Sequence, residues 1–287
     1  MVRTMKSWTI ATYFALTALF SAAPAVAQEG EDQEEIPAHL RVEEAPPALR
    51  VEEVTRDPFH EQLALAANPK VPQAEAQKVF DELVSRGAIA VPTLARVFND
   101  VRSGDQENWV AARALGRIGG EPARRALHTG LKSQRIITRL GAVSGLTLIA
   151  STESAPDLER SLFDKAMTVR ASSADALARI GNRKSSIALS KALNLPANFH
   201  RGKSHFVRMH IIQALGSIGS IGGIEALVGV LGEREEELLV AATVALETIT
   251  GTSFKAIGSS AQTPPTAAEI AQWRTWWAQR SVGEIAE

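Results

Sequence analysis

Leucine and isoleucine recur along the middle of the chain at a spacing that predicts repeated pairs of helices. The repeated leucines are Leu115, Leu146, Leu177, Leu215 and Leu246, so successive leucines are 31, 31, 38 and 31 residues apart. An isoleucine three residues after each leucine keeps the same intervals. Self-similarity at a period of this length is typical of proteins built from stacked repeats. The pattern predicts such a stack, with seven extra residues inserted before Leu215.

Each unit is predicted to contain two helices joined by a turn. In the unit around Leu215, the apolar residues Val207, Ile211, Leu215 and Ile218 fall on one face of a first helix. A second apolar run follows the first helix in each of the first four units. One such pair of helices cannot bury its own apolar face, so neighbouring units must cover it.

Small residues, glycines and prolines occur where the predicted helices would pack, end and begin. Small residues that precede repeated leucines would let neighbouring helices approach closely, as at Ala114, Gly145 and Ala214. Glycines that suit a left-handed helix C-cap follow three of the isoleucines, at Gly119, Gly181 and Gly219. Prolines occur where second helices would begin, at Pro92, Pro122 and Pro156.

The units resemble the HEAT-like repeats of phycobilisome-lyase-type and bacterial envelope proteins. Their form is roughly V-R-x-x-A-x-x-A-L-x-x-I-G, and it is matched best at residues 169–181 and 207–219. A degenerate earlier unit is expected at residues 80–98. The resemblance implies an all-α fold, an α-solenoid in which helix-turn-helix repeats form a superhelix over residues 58–258. It is specific for the fold and says little about function.

The C-terminal part departs from the repeat. Residues 259–287 are expected to form a loop and a last helix, in which Trp273, Trp276 and Trp277 are spaced i, i+3 and i+4. A tryptophan stripe of this kind could bind a sugar or a proline-rich peptide. We favour a capping helix that seals the open end of the stack, because terminal repeats need a cap.

The first 57 residues are predicted to be a leader and a linker. Residues 1–27 combine a basic start, an uncharged apolar stretch and Ala25-Val26-Ala27, the pattern of a secretory signal cleaved after Ala27. An uncleaved membrane anchor is the alternative, since the apolar run approaches a spanning length. Residues 28–57 contain ten acidic and three basic residues and predict an acidic disordered tether. We therefore expect an exported protein, periplasmic or secreted, without stable membrane insertion after cleavage.

Composition narrows the possible chemistry. The chain has no cysteine, which excludes disulfides, thiol catalysis and thiolate-bound metals. His200, His205 and His210 occur in or beside the insertion, but their five-residue intervals do not share a helix face and no acid lies among them in the sequence. Di-iron HEAT-like hydroxylases carry several His-Glu pairs, and here only His60-Glu61 occurs. We expect no metal, no cofactor and no enzymatic activity.

Charge is distributed unevenly. Residues 109–210 contain 17 Lys and Arg against 6 Asp and Glu. Three arginines occupy the same repeat position and are predicted to form an arginine ladder between units, although ligand contact is an alternative: Arg139, Arg170 and Arg208. Other basic residues are expected in second helices, which line the concave face in this family, or in the insertion, and could bind an acidic partner or be solvated surface: Arg124, Arg125, His128, Lys132, Arg160, Lys191, Arg201 and Lys203.

These features favour a non-catalytic, exported scaffold that binds another protein with an acidic patch or segment. The alternative is a binder of an anionic envelope polymer through the basic middle units. Nucleic acid is disfavoured, because few aromatic residues accompany the basic ones. A lyase-like cofactor carrier remains a minority alternative. The sequence leaves the oligomeric state open.

Overall fold

The computed structural model describes residues 57–256 and 258–283, with side chains described as far as residue 280. The chain divides into two units, residues 1–54 and 55–287, and the described residues all belong to the second. The predicted signal (1–27) and all but the last residue of the predicted tether (28–57) lie outside the described residues. No described helix combines the length and the apolar composition needed to cross a membrane.

The described part of the chain is almost entirely helical. Its thirteen α-helices are α1 (Pro58–Ala66), α2 (Gln73–Ser85), α3 (Val91–Asn99), α4 (Asp105–Ile118), α5 (Gly120–Gly130), α6 (Ile136–Ile149), α7 (Ala155–Ser161), α8 (Met167–Ile180), α9 (Ser185–Leu193), α10 (Val207–Ile218), α11 (Ile224–Val230), α12 (Glu236–Thr250) and α13 (Ala267–Gly283). Short 3₁₀ helices are formed by Gly87–Ile89, Thr152–Ser154, Pro196–Asn198 and Ile221–Gly223. Two short strands, β1 (Phe199–His200) and β2 (Lys203–Ser204), pair antiparallel.

The helices pack in sequence as two layers, in the manner of HEAT-like repeats. The first helices of successive units, α4, α6, α8, α10 and α12, pack side by side. The second helices α5, α7, α9 and α11 form the second-helix layer, and each packs against the first helix that follows it. At the N-terminal end, α1, α2 and α3 pack together and against α4.

Burial follows the repeated leucines. All five repeated leucines, from Leu115 to Leu246, are fully buried. A second row of fully buried leucines runs through α3 and the second-helix layer: Leu94, Leu127, Leu158, Leu189 and Leu227. The two rows belong to one continuous core. The sequence period therefore predicted the all-α stack correctly, because a leucine at a fixed place in each unit fills the space between units.

Helix ends agree with the sequence only in part. Pro92 and Pro156 lie in the first turns of α3 and α7, as predicted. Gly219 ends α10 in the predicted left-handed conformation, with φ 67° and ψ 23°. The prediction for Gly181 is wrong, since its backbone is extended at φ −66° and ψ 168°. Gly119 has a positive φ but an extended ψ of −159°, so it also lies outside the left-handed helical region.

The insertion before Leu215 forms a small hairpin. β1 and β2 are joined by Arg201 and Gly202, both of which have positive φ, at 49° and 77°. Two consecutive positive φ values are what a tight two-residue hairpin turn requires. The extra residues therefore project from one loop and leave the helix stack unbroken.

The last helix is held by a capping interaction and by aromatic packing. The backbone N–H of Thr266 donates to Glu269 Oε2 at 2.8 Å, and the N–H of Glu269 donates to Thr266 Oγ1 at 3.3 Å. This reciprocal pair is a capping box. The hydrogen bond from the Thr266 N–H is the main cause of the lowered pKa of Glu269. Trp273 is fully buried, and α13 packs against α11.

Two first helices approach each other closely at a pair of glycines. A Cβ atom added to Gly116 in α4 would lie 2.8 Å from the carbonyl oxygen and 2.9 Å from the Cα of Gly145 in α6. Both are backbone atoms, so neither can move without separating the two helices. The contact between α4 and α6 therefore depends on the missing side chain at Gly116.

We expect Gly116→Ala to lower the free energy of unfolding by about 1–3 kcal/mol, the usual cost of overpacking a core. Urea unfolding followed by far-UV circular dichroism measures the change. Gly229→Ala in α11 is the matched control, because an added Cβ there meets no atom within 4 Å. The control should raise stability by about 0.5–1 kcal/mol through helix propensity. Equal effects of the two substitutions would contradict the close-contact interpretation.

Candidate functional site

The arginine ladder is buried where consecutive units meet. Arg139 in α6 is 4% exposed, and its guanidinium binds the carboxylate of Asp164 with two hydrogen bonds, of 2.7 and 2.9 Å. The same guanidinium donates to the carbonyl oxygens of Ser133 and Gln134 at 2.9 and 3.0 Å. Arg139 thus connects the loop before α6 with the loop before α8.

Arg170 repeats this arrangement one unit later. Its Nη1 donates to the carbonyl oxygens of Asp164 and Lys165, at 2.7 and 3.2 Å. Its Nε donates to Asn198 Oδ1 at 2.9 Å, and its Nη2 donates to the carbonyl oxygen of Ala197 at 2.8 Å. Burial lowers the pKa of Arg170. Asp164 therefore accepts from Arg139 through its side chain and from Arg170 through its backbone.

Arg208 completes the ladder beside the hairpin. It is fully buried, and its two terminal nitrogens bind Glu233 at 2.5 and 2.6 Å. Its Nε donates to the carbonyl oxygen of Leu193 at 3.1 Å, and its guanidinium lies 4.5 Å from the centre of the Phe199 ring. All three guanidinium groups are surrounded by acceptors from the protein, which suits a structural role.

The ladder ends at the equivalent positions of the flanking units. Asn108 occupies the position in α4, where its Nδ2 donates to the carbonyl oxygen of Phe98 at 2.6 Å. Its Oδ1 is buried and has no hydrogen-bond partner in the part of the chain that the structure describes. Leu239 occupies the position in α12 and is buried among apolar residues.

Several cations predicted to form a basic surface are paired with acids in the second-helix layer. Arg124 contacts Glu121 in its own helix, and it also contacts Glu153 of the next unit at 2.9 Å. Arg125 reaches Glu121 as well, at 3.4 Å. These acids remove much of the positive charge expected on this layer.

Asp157 of α7 contacts both His128 of α5 and Arg160 of its own helix. His128 Nε2 is buried and has no hydrogen-bond partner in the described structure. Burial, with the nearby Arg124 guanidinium, lowers the pKa of His128. The four residues Arg124, Arg125, His128 and Arg160 therefore belong to a mixed network of charges.

The remaining predicted cations are exposed and lie in three places. Lys191 is in α9, as expected for a second helix. Lys132 was expected in a second helix too, but α5 ends at Gly130, which places Lys132 in the following loop. Arg201 and Lys203 lie on the hairpin. No acid within the described ranges forms an ion pair with any of these four.

The loops between units form a continuous surface, here called the inter-unit edge. It consists of residues 100–104, 131–135, 162–166, 194–206 and 231–235, together with the first residue of each helix that follows. Hydrogen bonds connect neighbouring loops, such as that from Arg135 to the carbonyl oxygen of Asp100 at 3.4 Å. The arginine ladder continues these connections along the edge.

Large apolar side chains that were not predicted from the sequence are exposed along the inter-unit edge. Their exposure ranges from 38% to 73%, and they are Val101, Ile136, Phe163, Met167 and Phe206. The sequence did contain an indication of their exposure. Ile136 and Met167 each lie three residues before a ladder arginine and outside the apolar stripe that their helices turn towards the core. Lys165 is also exposed on this edge and has no ion-pair partner among the described residues.

Within the described residues, no group of three or more His, Asp or Glu side chains is placed to hold a metal ion. The rings of His200 and His205 lie 6.1 Å apart. His210 binds Asp175 of α8 at 2.7 Å. The acid next to a histidine thus comes from a neighbouring unit, which the local sequence could not reveal.

The stacked helix pairs define an all-α repeat protein of the α-solenoid class. No known protein family matches the sequence, and no curated protein is significantly similar to it. The crystal structure of an engineered protein is similar over 67% of this chain and 89% of its own, with 22% identity and a TM-score of 0.43.

Two natural proteins are also similar to the chain. Human deoxyhypusine hydroxylase, solved with glycerol, matches 68% of this chain and 96% of its own, at 17% identity and a TM-score of 0.38. One chain of the complex of CpcE and CpcF of phycocyanin lyase from Nostoc sp. PCC7120 matches 76% of this chain and 82% of its own length, at 20% identity and a TM-score of 0.39. At these identities and TM-scores, no function follows from the likeness.

We expect Arg208→Met to lower the free energy of unfolding by about 3 kcal/mol, the low end for breaking a buried pair. The low end applies because the Glu233 side chain remains 28% exposed. Lys191→Met is the control. Because Lys191 is exposed and has no ion-pair partner among the described residues, this substitution should change the free energy of unfolding by less than about 0.5 kcal/mol. Thermal and urea unfolding of both variants provide the comparison. If Arg208→Met is as stable as the parent protein, Arg208 is not a structural residue.

Proposed function

We propose that the protein is a non-catalytic, exported scaffold that binds another protein through the inter-unit edge. One observation supports this most strongly: exposed apolar side chains occur along this edge together with cations that have no acidic partner among the described residues. Apolar side chains supply binding energy on desolvation, and the cations favour an acidic partner. The proposed partner is an acidic segment or patch that also carries apolar side chains.

The arginine ladder engages two of the acids at this edge. Asp164 and Glu233 are paired with buried arginines, and Asp105 is paired with Arg135. These carboxylates therefore do not neutralise the exposed lysines around them. Lys132 and Lys203 remain available to attract an acidic partner.

The second-helix layer is a weaker candidate for the same role. Its arginines have acidic neighbours in their own helices and in adjacent units, as described for Glu121 and Asp157. A charged partner would have to displace these acids. We therefore place the proposed contact at the inter-unit edge and assign only Lys191 of the second-helix layer as an accessible cation.

We expect the double charge reversal Lys132→Glu and Lys203→Glu to weaken partner binding at least about tenfold at low salt, because two attractive contacts become repulsive. The partner is identified by cross-linking and mass spectrometry, and its affinity is then measured with purified components. Lys184→Glu is the control, since Lys184 lies in the loop at the other end of α8.

Unchanged affinity in the double variant would contradict binding at the inter-unit edge. The alternative, binding of an anionic polymer, predicts that inorganic polyphosphate binds with an affinity that falls steeply with salt. The minority alternative of a lyase-like carrier predicts a coloured purified protein.

Export is proposed from the sequence of residues 1–27. We expect N-terminal sequencing of the protein from its native host to begin at Gln28, because Ala25-Val26-Ala27 forms the cleavage site. Fractionation of the same cells should place the mature protein outside the cytoplasm. A protein that begins at Met1 and remains in the membrane fraction would support an uncleaved anchor.

A further inference from the structure

The C-terminal helix α13 presents a pocket that the proposed scaffold role does not use. Gln272, Thr275, Trp276 and Gln279 are spaced i, i+3, i+4 and i+7, which places them on one helix face. Together with Ala271 and with Phe254 from the preceding loop, they line a pocket of about 350 Å³. The pocket therefore combines two aromatic rings with three uncharged polar side chains.

The aromatic part of the pocket is held in place by neighbouring side chains. Trp273 is fully buried, and its ring packs edge-to-face with Phe254 and with Trp276, at centroid distances of 4.8 and 5.6 Å. The Arg280 guanidinium lies over the Trp276 ring, 4.4 Å from its centre. These contacts fix the orientation of Trp276, which is only partly buried. A preorganised ring loses little entropy when a ligand packs on it.

The polar part of the pocket is free to bind. Gln272, Thr275 and Gln279 are exposed, and none has a hydrogen-bond partner within the residues that the structure describes. Each carboxamide provides two donors and one acceptor group, and the hydroxyl of Thr275 can donate and accept. The six side chains that line the pocket are uncharged, and the Arg280 guanidinium lies beside them over the Trp276 ring. The lining therefore suits a neutral ligand with many hydroxyl groups.

We propose that this pocket binds a neutral saccharide. The apolar C–H face of a pyranose ring would pack on Trp276, and its hydroxyl groups would bond to the carboxamides of Gln272 and Gln279. The uncharged lining favours a neutral ligand over an anionic one, because the adjacent Arg280 guanidinium is already engaged with the Trp276 ring. The three polar side chains disfavour a purely apolar ligand. The site is independent of the inter-unit edge, so either proposal can fail without the other.

The test measures binding of maltotriose, cellotriose and chitotriose to the purified protein by titration calorimetry and tryptophan fluorescence. We expect saturable binding of at least one of them. The double substitution Gln272→Ala and Gln279→Ala should weaken it about tenfold, because two neutral hydrogen bonds are lost. Both residues are exposed, so the fold should be unaffected. Gln134→Ala, an exposed glutamine in the loop after α5, is the matched control.

A second pair of variants tests whether the saccharide needs an aromatic ring at position 276 or only an apolar side chain. Trp276→Leu should abolish binding, whereas Trp276→Phe keeps an aromatic face and should retain part of it. The proposal is overturned if none of the three saccharides binds. It is also overturned if the glutamine double variant binds as well as the parent, if Gln134→Ala weakens binding equally, or if a decaproline peptide binds the pocket and the saccharides do not.

Discussion

The structure depends on the burial of each unit's apolar face by the next unit. The leucines of both layers are fully buried only because successive helix pairs cover one another. Close backbone contact at Gly116 and Gly145 allows the first helices to approach near enough for this burial. Single helix pairs have no core of their own, so stability arises from the interfaces. The remaining features, including the charged loops, are arranged around this repeated contact.

Buried charge determines the charge of the surface. A guanidinium removed from water must be paired and fully hydrogen-bonded, or its desolvation would destabilise the fold. Arg139 and Arg208 satisfy this requirement by binding Asp164 and Glu233. Asp164 and Glu233 are thereby engaged from within, and the exposed lysines keep their charge. A structural requirement of the interior thus pairs two acids of an edge on which exposed lysines lie near exposed apolar side chains.

The sequence predicted the fold because packing between units imposes a period that can be read in the leucines. It predicted the site less well, because site geometry depends on contacts between units. The pairing of Arg124 with Glu153 and that of His210 with Asp175 join residues far apart in sequence. Local sequence also does not determine how a helix ends. An Ile-Gly pair follows both α8 and α10, but the glycine is extended at Gly181 and left-handed at Gly219.

Asp164 has a particular consequence for how the stack responds to mechanical load. Its carboxylate holds Arg139 and its carbonyl oxygen holds Arg170, so one loop residue links two consecutive interfaces. Tension applied to one unit would pass through this residue to the next, and the two interfaces would resist separation jointly. The middle of the stack is thereby reinforced, whereas the ends, where Asn108 and Leu239 replace the arginine, lack this link and would yield first under force.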